Sequence, residues 1–156
     1  MELHVADRLE HLVDEIAALH SKLILIIGGT NVGKTALLHK LAKSRNAVPL
    51  NVGSALGRRL AAVPQKERPL QTTSILRELA DEYAVGDLLL VDNIELLFDR
   101  ALQLDPLDLL KRHAHARRVV AVWPGQLRDS RLSYAEMGHP EHQDYGFEGL
   151  VPFSIQ

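Results

Sequence analysis

The chain has 156 residues, 46% of them hydrophobic, with 18 Lys and Arg against 20 Asp and Glu for a formal charge of −2. This is one domain's worth of sequence with enough apolar material for a substantial core. Its lack of cysteine excludes a disulfide framework and a cysteine zinc site, and its charge provides no global pull toward nucleic acid. No apolar run is long enough to span a bilayer and no basic-then-apolar leader opens the chain, so a cytoplasmic protein without membrane contact is expected.

Residues 1–20 read as an amphipathic helix, with Val5, Leu9, Leu12, Val13, Ile16 and Leu19 at helical spacing. Its apolar stripe is expected to pack on the domain rather than to dock a partner. Leu23 to Ile27 is an uninterrupted aliphatic run suited to a parallel strand buried on both faces. Directly after it comes GGTNVGKT, in which Gly28, Gly33, Lys34 and Thr35 match G-x-x-x-x-G-K-[ST]. The pattern needs each residue type for a physical reason. Glycines let backbone amides close on an anion, a helix start adds unsatisfied N–H groups, Lys34 reaches the β- and γ-phosphates, and the Thr35 hydroxyl ligates Mg²⁺. Gly28, Gly29, Thr30, Asn31, Val32, Gly33, Lys34, Thr35 and Ala36 are therefore assigned to binding ATP, with Lys34 also counted as catalytic.

A helix is expected to continue through Lys43, followed by a strand over Val48 to Val52, a turn at Gly53 and Ser54, and a helix ending before Pro64. QKERP reads as a surface loop, and ILRELADEYA as a further helix. Leu88 to Val91 reads as the third strand, and Asp92 at its carboxyl end has the position of a Walker B acid that holds the Mg²⁺ shell opposite Thr35. Many ATPases of the additional-strand class carry a Glu immediately after this Asp to activate water. This chain has Asn93, whose amide cannot accept a proton, so Glu95 is the substitute catalytic candidate.

Leu96 to Leu102 and Pro106 to His115 read as helical, Val119 to Trp123 as the fourth strand, and Leu150 to Ile155 as a fifth beside the first. Where related ATPases end the fourth strand on a polar γ-phosphate sensor, this chain has Trp123, with Gln126 the nearest polar residue and better read as part of a loop. The segment up to Leu150 reads as loop. The expected fold is α/β, a three-layer P-loop NTPase sandwich whose five parallel strands take the spatial order 5-1-4-3-2, with no helical lid after the fifth.

The GGTNVGKT loop, the LLLVDNIELLF strand end, and especially VVAVWPG with LSYAEMGHPEHQDY resemble the BrxF-like small P-loop proteins of BREX-type bacterial phage-defence systems. The resemblance spans nearly the whole chain; its phosphate loop is shared with very many ATPases, and the narrower match lies in WPG and the GHPE segment. It implies an ATPase acting with other subunits of a defence complex, with DNA contact only through that complex. A missing lid implies completion by oligomerisation or by a partner's arginine, with Arg58, Arg59, Arg100, Arg112, Arg117, Arg118, Arg128 and Arg131 as unranked donors. His139 and His142 around Glu141, with His113 and His115, complete no zinc spacing and read as polar loop residues. Tyr134, Glu136, His139 and Glu141 form either a family surface or a wall of the cleft. Two other functions compete: a small-molecule kinase using Arg128-Asp129-Ser130-Arg131 as a lid, and a nucleotide switch that does not hydrolyse. No guanine-selecting motif follows, which favours ATP over GTP.

Overall fold

The computed structural model describes residues 5–19, 22–28, 33–128, 131–134, 143–145 and 149–155. Five strands, β1 (Leu23–Ile27), β2 (Leu50–Asn51), β3 (Leu88–Asp92), β4 (Arg118–Val122) and β8 (Val151–Ser154), form one sheet in the order β2-β3-β4-β1-β8. Every pairing in it is parallel. This is the expected spatial order. The fifth strand of the sheet is the eighth in the chain because three short antiparallel strands, β5 (Gln126–Arg128), β6 (Arg131–Tyr134) and β7 (Gln143–Tyr145), precede it.

Side chains alternate across a strand, and here both faces are covered. On one face Leu23, Leu25, Leu89, Val91, Val119 and Ala121 pack against the helices α3 (Val52–Ala61), α4 (Arg68–Tyr83) and α5 (Pro106–Ala116). On the other, Ile24, Ile26, Leu88, Leu90, Val120 and Phe153 pack against α1 (Val5–Glu15) and α2 (Lys34–Ser44). Leu9, Val13 and Ile16 are fully buried in that second layer. Arg45, after α2, ties the two helices together through Glu10 at 2.7 Å and Asp14 at 3.1 Å. Arg118 fastens the same layer to the sheet, donating to the Val13 carbonyl at 3.1 Å and clasping Asp87 with both arms of its guanidinium.

Several boundaries differ from the sequence reading for local reasons. The second strand is shorter than Val48 to Val52 because the Asn51 side chain accepts the Ser54 N–H at 3.0 Å, capping α3 and turning Val52 into its first residue. QKERP is no loop: Gln65–Glu67 is a 3₁₀ turn and α4 starts at Arg68, with Pro69 in the first turn, where its missing N–H costs nothing. Leu96 to Leu102 is two 3₁₀ turns, Glu95–Phe98 and Arg100–Leu102.

The larger correction concerns the segment after Trp123. The chain forms a β5-β6-β7 antiparallel sheet there, so Gln126 begins a strand and Arg128 pairs with Arg131 across a hairpin. This sheet is fixed to the core by Leu132, which is fully buried, and by the Trp123 indole, which donates to the Ser133 carbonyl at 3.0 Å. A Cβ on Gly125 would lie 1.5 Å from that carbonyl oxygen, so only glycine admits the approach. His139, Glu141, His142 and Glu136 lie outside the described residues, as does the Tyr134 side chain.

Leu9, on α1, is fully buried in the layer that α1 and α2 form on the sheet. Leu9→Ala is expected to lower unfolding stability by about 2–5 kcal/mol, read from the urea midpoint. An unmoved midpoint would show that α1 adds nothing to the core.

Candidate functional site

The carboxyl ends of β1, β3 and β4 meet where parallel α/β sheets present their ligand crevice. Gly28 closes β1, and the chain re-emerges at Gly33, whose φ of 90° is left-handed and caps α2. No described residue outside its chain neighbours and the helix backbone lies within 4 Å of a Cβ built on Gly33, and its left-handed φ is a conformation that favours glycine. Gly29, Thr30, Asn31 and Val32 fall outside the described residues. Lys34, Thr35 and Ala36 form the first turn of α2, where orphan N–H groups and the positive helix end favour an anion.

Two residues 57 positions apart are brought into contact there. The Thr35 hydroxyl donates to Asp92 Oδ1 at 3.3 Å, and the same oxygen accepts the Asn93 N–H at 2.8 Å. Asp92 is one of two buried polar or charged residues among those described. His39, one helical turn beyond Thr35, has Nε2 at 3.9 Å from Asp92 Oδ2. Hydroxyl and carboxylate oxygens side by side are the hard donor set that Mg²⁺ prefers. The residues present thus fit a Mg²⁺–triphosphate: an anion cradle at a helix start, a lysine beside it, and two oxygen ligands facing each other.

Lys34 Nζ donates to the Trp123 carbonyl at 3.0 Å. Burial pushes the Lys34 pKa below its ordinary value, and the charges of Glu95 and Asp92 oppose that shift. Glu95 is exposed at the start of its 3₁₀ turn, and its charge acts on Lys34. Three ammonium protons allow Lys34 to keep the Trp123 bond and still meet phosphate oxygens.

Trp123, read from sequence as a missing polar sensor, organises this corner. Its N–H donates to the Ile26 carbonyl at 2.9 Å, and its ring meets Phe98 edge-on at 5.4 Å. The strand end and the lysine meet the backbone of this one residue, and the turn bearing Glu95 and the small antiparallel sheet meet its buried side chain. Asn93 is tied into a junction with the end of the neighbouring strand. With φ of 53° it turns its side-chain N–H to Asn51 Oδ1 at 2.9 Å, while its carbonyl accepts the Gly53 N–H at 3.0 Å. A Cβ on Gly53 would press to 2.4 Å from Asn93 Nδ2, so glycine makes room for this junction. Sequence reasoning missed Asn51 and His39. A polar residue ending the neighbouring strand, and a histidine four residues after Thr35, were the available signals.

Of the arginines named as donors, Arg59 pairs with Glu78, Arg112 with Asp108 at 2.8 Å, Arg117 with Asp81 at 2.6 Å and Arg118 with Asp87 at 2.7 Å. Arg58 is exposed on α3 and no ion pair is seen for it among the described residues.

No family model and no curated protein matches the chain. Solved structures do. A crystal structure of a DNA replication initiation factor matches at a TM-score of 0.50 and 16% identity over 100% of this chain and 48% of its own. PCH-2 of C. elegans matches at 0.47 and 15%, over 96% of this chain and 41% of its own. The chain spans about half the length of these solved chains. At such identity the first likeness is one of fold. The fold is that of P-loop NTPases.

Because the Glu95 charge raises the lysine's pKa, Glu95→Gln is expected to move Lys34 titration to lower pH, followed by NMR of the lysine Cε. A titration that stays in place would separate Glu95 from the site. Gly125→Ala is expected to destabilise the chain by more than about 1 kcal/mol and to shift Trp123 emission, since the added methyl must displace the Ser133 carbonyl.

Proposed function

We propose that the chain binds ATP with Mg²⁺ at the crevice and hydrolyses its terminal phosphoanhydride. The observation that carries this is the Thr35–Asp92 contact between the first turn of α2 and the end of β3, with Lys34 beside it. In this reading Gly28, Gly29, Thr30, Asn31, Val32, Gly33, Lys34, Thr35 and Ala36 wrap the phosphates. Thr35 and Asp92 hold the metal, which when bound neutralises charge on the phosphate oxygens. Lys34 takes the β- and γ-phosphate side. Glu95 orients the attacking water, a role left to it because Asn93 is engaged with Asn51.

That engagement also supports slow turnover by the isolated chain. Arginines 59, 112, 117 and 118 are paired within the chain, so Arg58 is the first candidate to serve a neighbouring protomer, in an oligomer whose sites are completed between subunits. The resemblance to BREX small P-loop proteins supports work with other subunits of a phage-defence complex, and likeness to a replication initiation factor fits a DNA-directed assembly. No helix among the described residues is long and apolar enough to cross a membrane. A nucleotide switch without hydrolysis is the second reading, favoured by the Asn93–Asn51 bond.

ATP binding and hydrolysis measured over a wide protein-concentration series decide between them. Lys34→Ala is expected to abolish both, and Glu95→Gln to keep binding while turnover falls about 10²-fold or more. A specific rate that rises with concentration and falls with Arg58→Ala supports completion between protomers. ATP binding without turnover at every concentration selects the switch, and no ATP binding overturns the proposal.

A further inference from the structure

A second feature lies away from the crevice, between the outer faces of α4 and α5. A groove of about 300 Å³ is lined by Thr73, Arg77 and Asp81 of α4, by Leu109, Arg112, His113 and Ala116 of α5, and by Arg117 after it. Its lower end lies beside the start of β3 and β4, opposite the phosphate loop, because α4 leads into β3 and Arg117 precedes β4. Three guanidinium groups face one carboxylate there, on a chain whose formal charge is −2.

The three arginines stand in different conditions. Arg117 is locked, donating to the Ala80 carbonyl at 3.0 Å and to Asp81, so it fixes the wall and its charge. Arg112 holds Asp108 in an exposed pair at 2.8 Å, of the kind that contributes little and rearranges readily. Arg77 is exposed, and no ion pair is seen for it among the described residues. The half-buried His113 lines the same groove. Burial first, then the Arg117 and Arg77 charges, push its pKa below the ordinary value, against Asp81. The groove is cationic inside.

We propose that the α4–α5 groove binds a short acidic segment of a partner protein, its carboxylates taken by Arg77 and Arg112 and an apolar side chain seated on Leu109 and Ala116. Guanidinium forks match carboxylates with two parallel hydrogen bonds. Nucleic acid fits less well. Asp81 lines the groove and Asp108 holds Arg112 beside it, and a phosphodiester chain running along the helices would meet these carboxylates, whereas a short peptide ends inside. The volume is at the small end of ligand sites and holds a few side chains.

Binding also links to protons. A carboxylate beside His113 favours its charged form, so the segment raises the histidine's lowered pKa and binds more tightly as the imidazole takes up its proton on acidification. The charges acting on the imidazole are those of Arg77 and Asp81 from α4 and of Arg117 after α5, and Arg112 of α5 lines the same groove. The gain ends near pH ~4.3, where the peptide's own carboxylates titrate.

The test uses the full chain, a capped Glu-Leu-Glu-Glu-Leu peptide, its Gln-Leu-Gln-Gln-Leu counterpart, and a 20-base-pair DNA duplex. His113 titration is followed by NMR, and affinity by calorimetry at low salt. The expected result is a higher His113 pKa with the Glu peptide only, and an affinity at least about tenfold weaker in Arg77→Glu, with ATP binding unchanged. Should Arg77→Glu misfold, Arg77→Gln serves, with a smaller loss expected. A His113 titration unmoved by millimolar Glu peptide overturns the proposal. So does a shift produced by the duplex and not by the peptide, or equal binding of the Glu and Gln peptides.

Discussion

The structure depends on the complete burial of β1. All five of its side chains are inaccessible, shared alternately between two helical layers, and its neighbours β4 and β8 satisfy its backbone on both edges. A strand held in this way cannot slip, because a one-residue shift would exchange its two faces. The phosphate loop is therefore delivered to a fixed point. Its far end is fixed as well, by the left-handed Gly33 and the buried Leu37, Leu38 and Leu41 of α2.

From that frame the site follows by convergence. The inserted β4 separates β1 from β3, yet Thr35 still reaches Asp92, because α2 starts directly above the sheet and turns its first residues toward β3. Trp123 then closes the corner from β4. It bonds Lys34 by its carbonyl and Ser133 by its indole, so the cationic arm of the site and the small antiparallel sheet are fixed by the same residue. The acceptor for Lys34 is the backbone carbonyl of residue 123, and what the tryptophan side chain adds is the anchor to Ser133 and the edge contact with Phe98. The price is a glycine at 125, where no side chain fits.

The sequence made the parallel sheet and the crevice legible because both rest on strong local patterns. Leu23 to Ile27, Leu88 to Val91 and Val119 to Val122 are aliphatic runs too short for helices, and each ends at a residue that meets the site. Position 51 was harder. A two-residue strand gives no periodicity, and the cap that ends it is visible only as an Asn three residues before a Ser. The segment from Gln126 to Tyr145 carries no Asn-Gly or Asp-Gly turn and no sustained alternation, so its hairpin was read as loop. Pairing there is imposed by tertiary anchors, Leu132 and the Trp123 bond, which no local window contains. The same holds for the α4–α5 groove, whose arginines come from two helices separated by β3 and two turns.

Crevice and groove lie at opposite ends of one helical layer. Asn93, following Asp92, bonds Asn51 and Gly53 at the start of α3; α3 packs on α4; and the outer stripe of α4 carries Arg77 and Asp81. Contiguity of this kind is not coupling, which requires an element with two arrangements that both ligands bias. The Asn93 junction is shown in one arrangement. Its left-handed φ of 53° is held by one side-chain bond and one backbone bond, and asparagine is among the residues that also adopt right-handed backbone readily. Asp92 lies one peptide bond away and accepts the Asn93 N–H, so whatever draws on the Asp92 carboxylate acts directly on this junction.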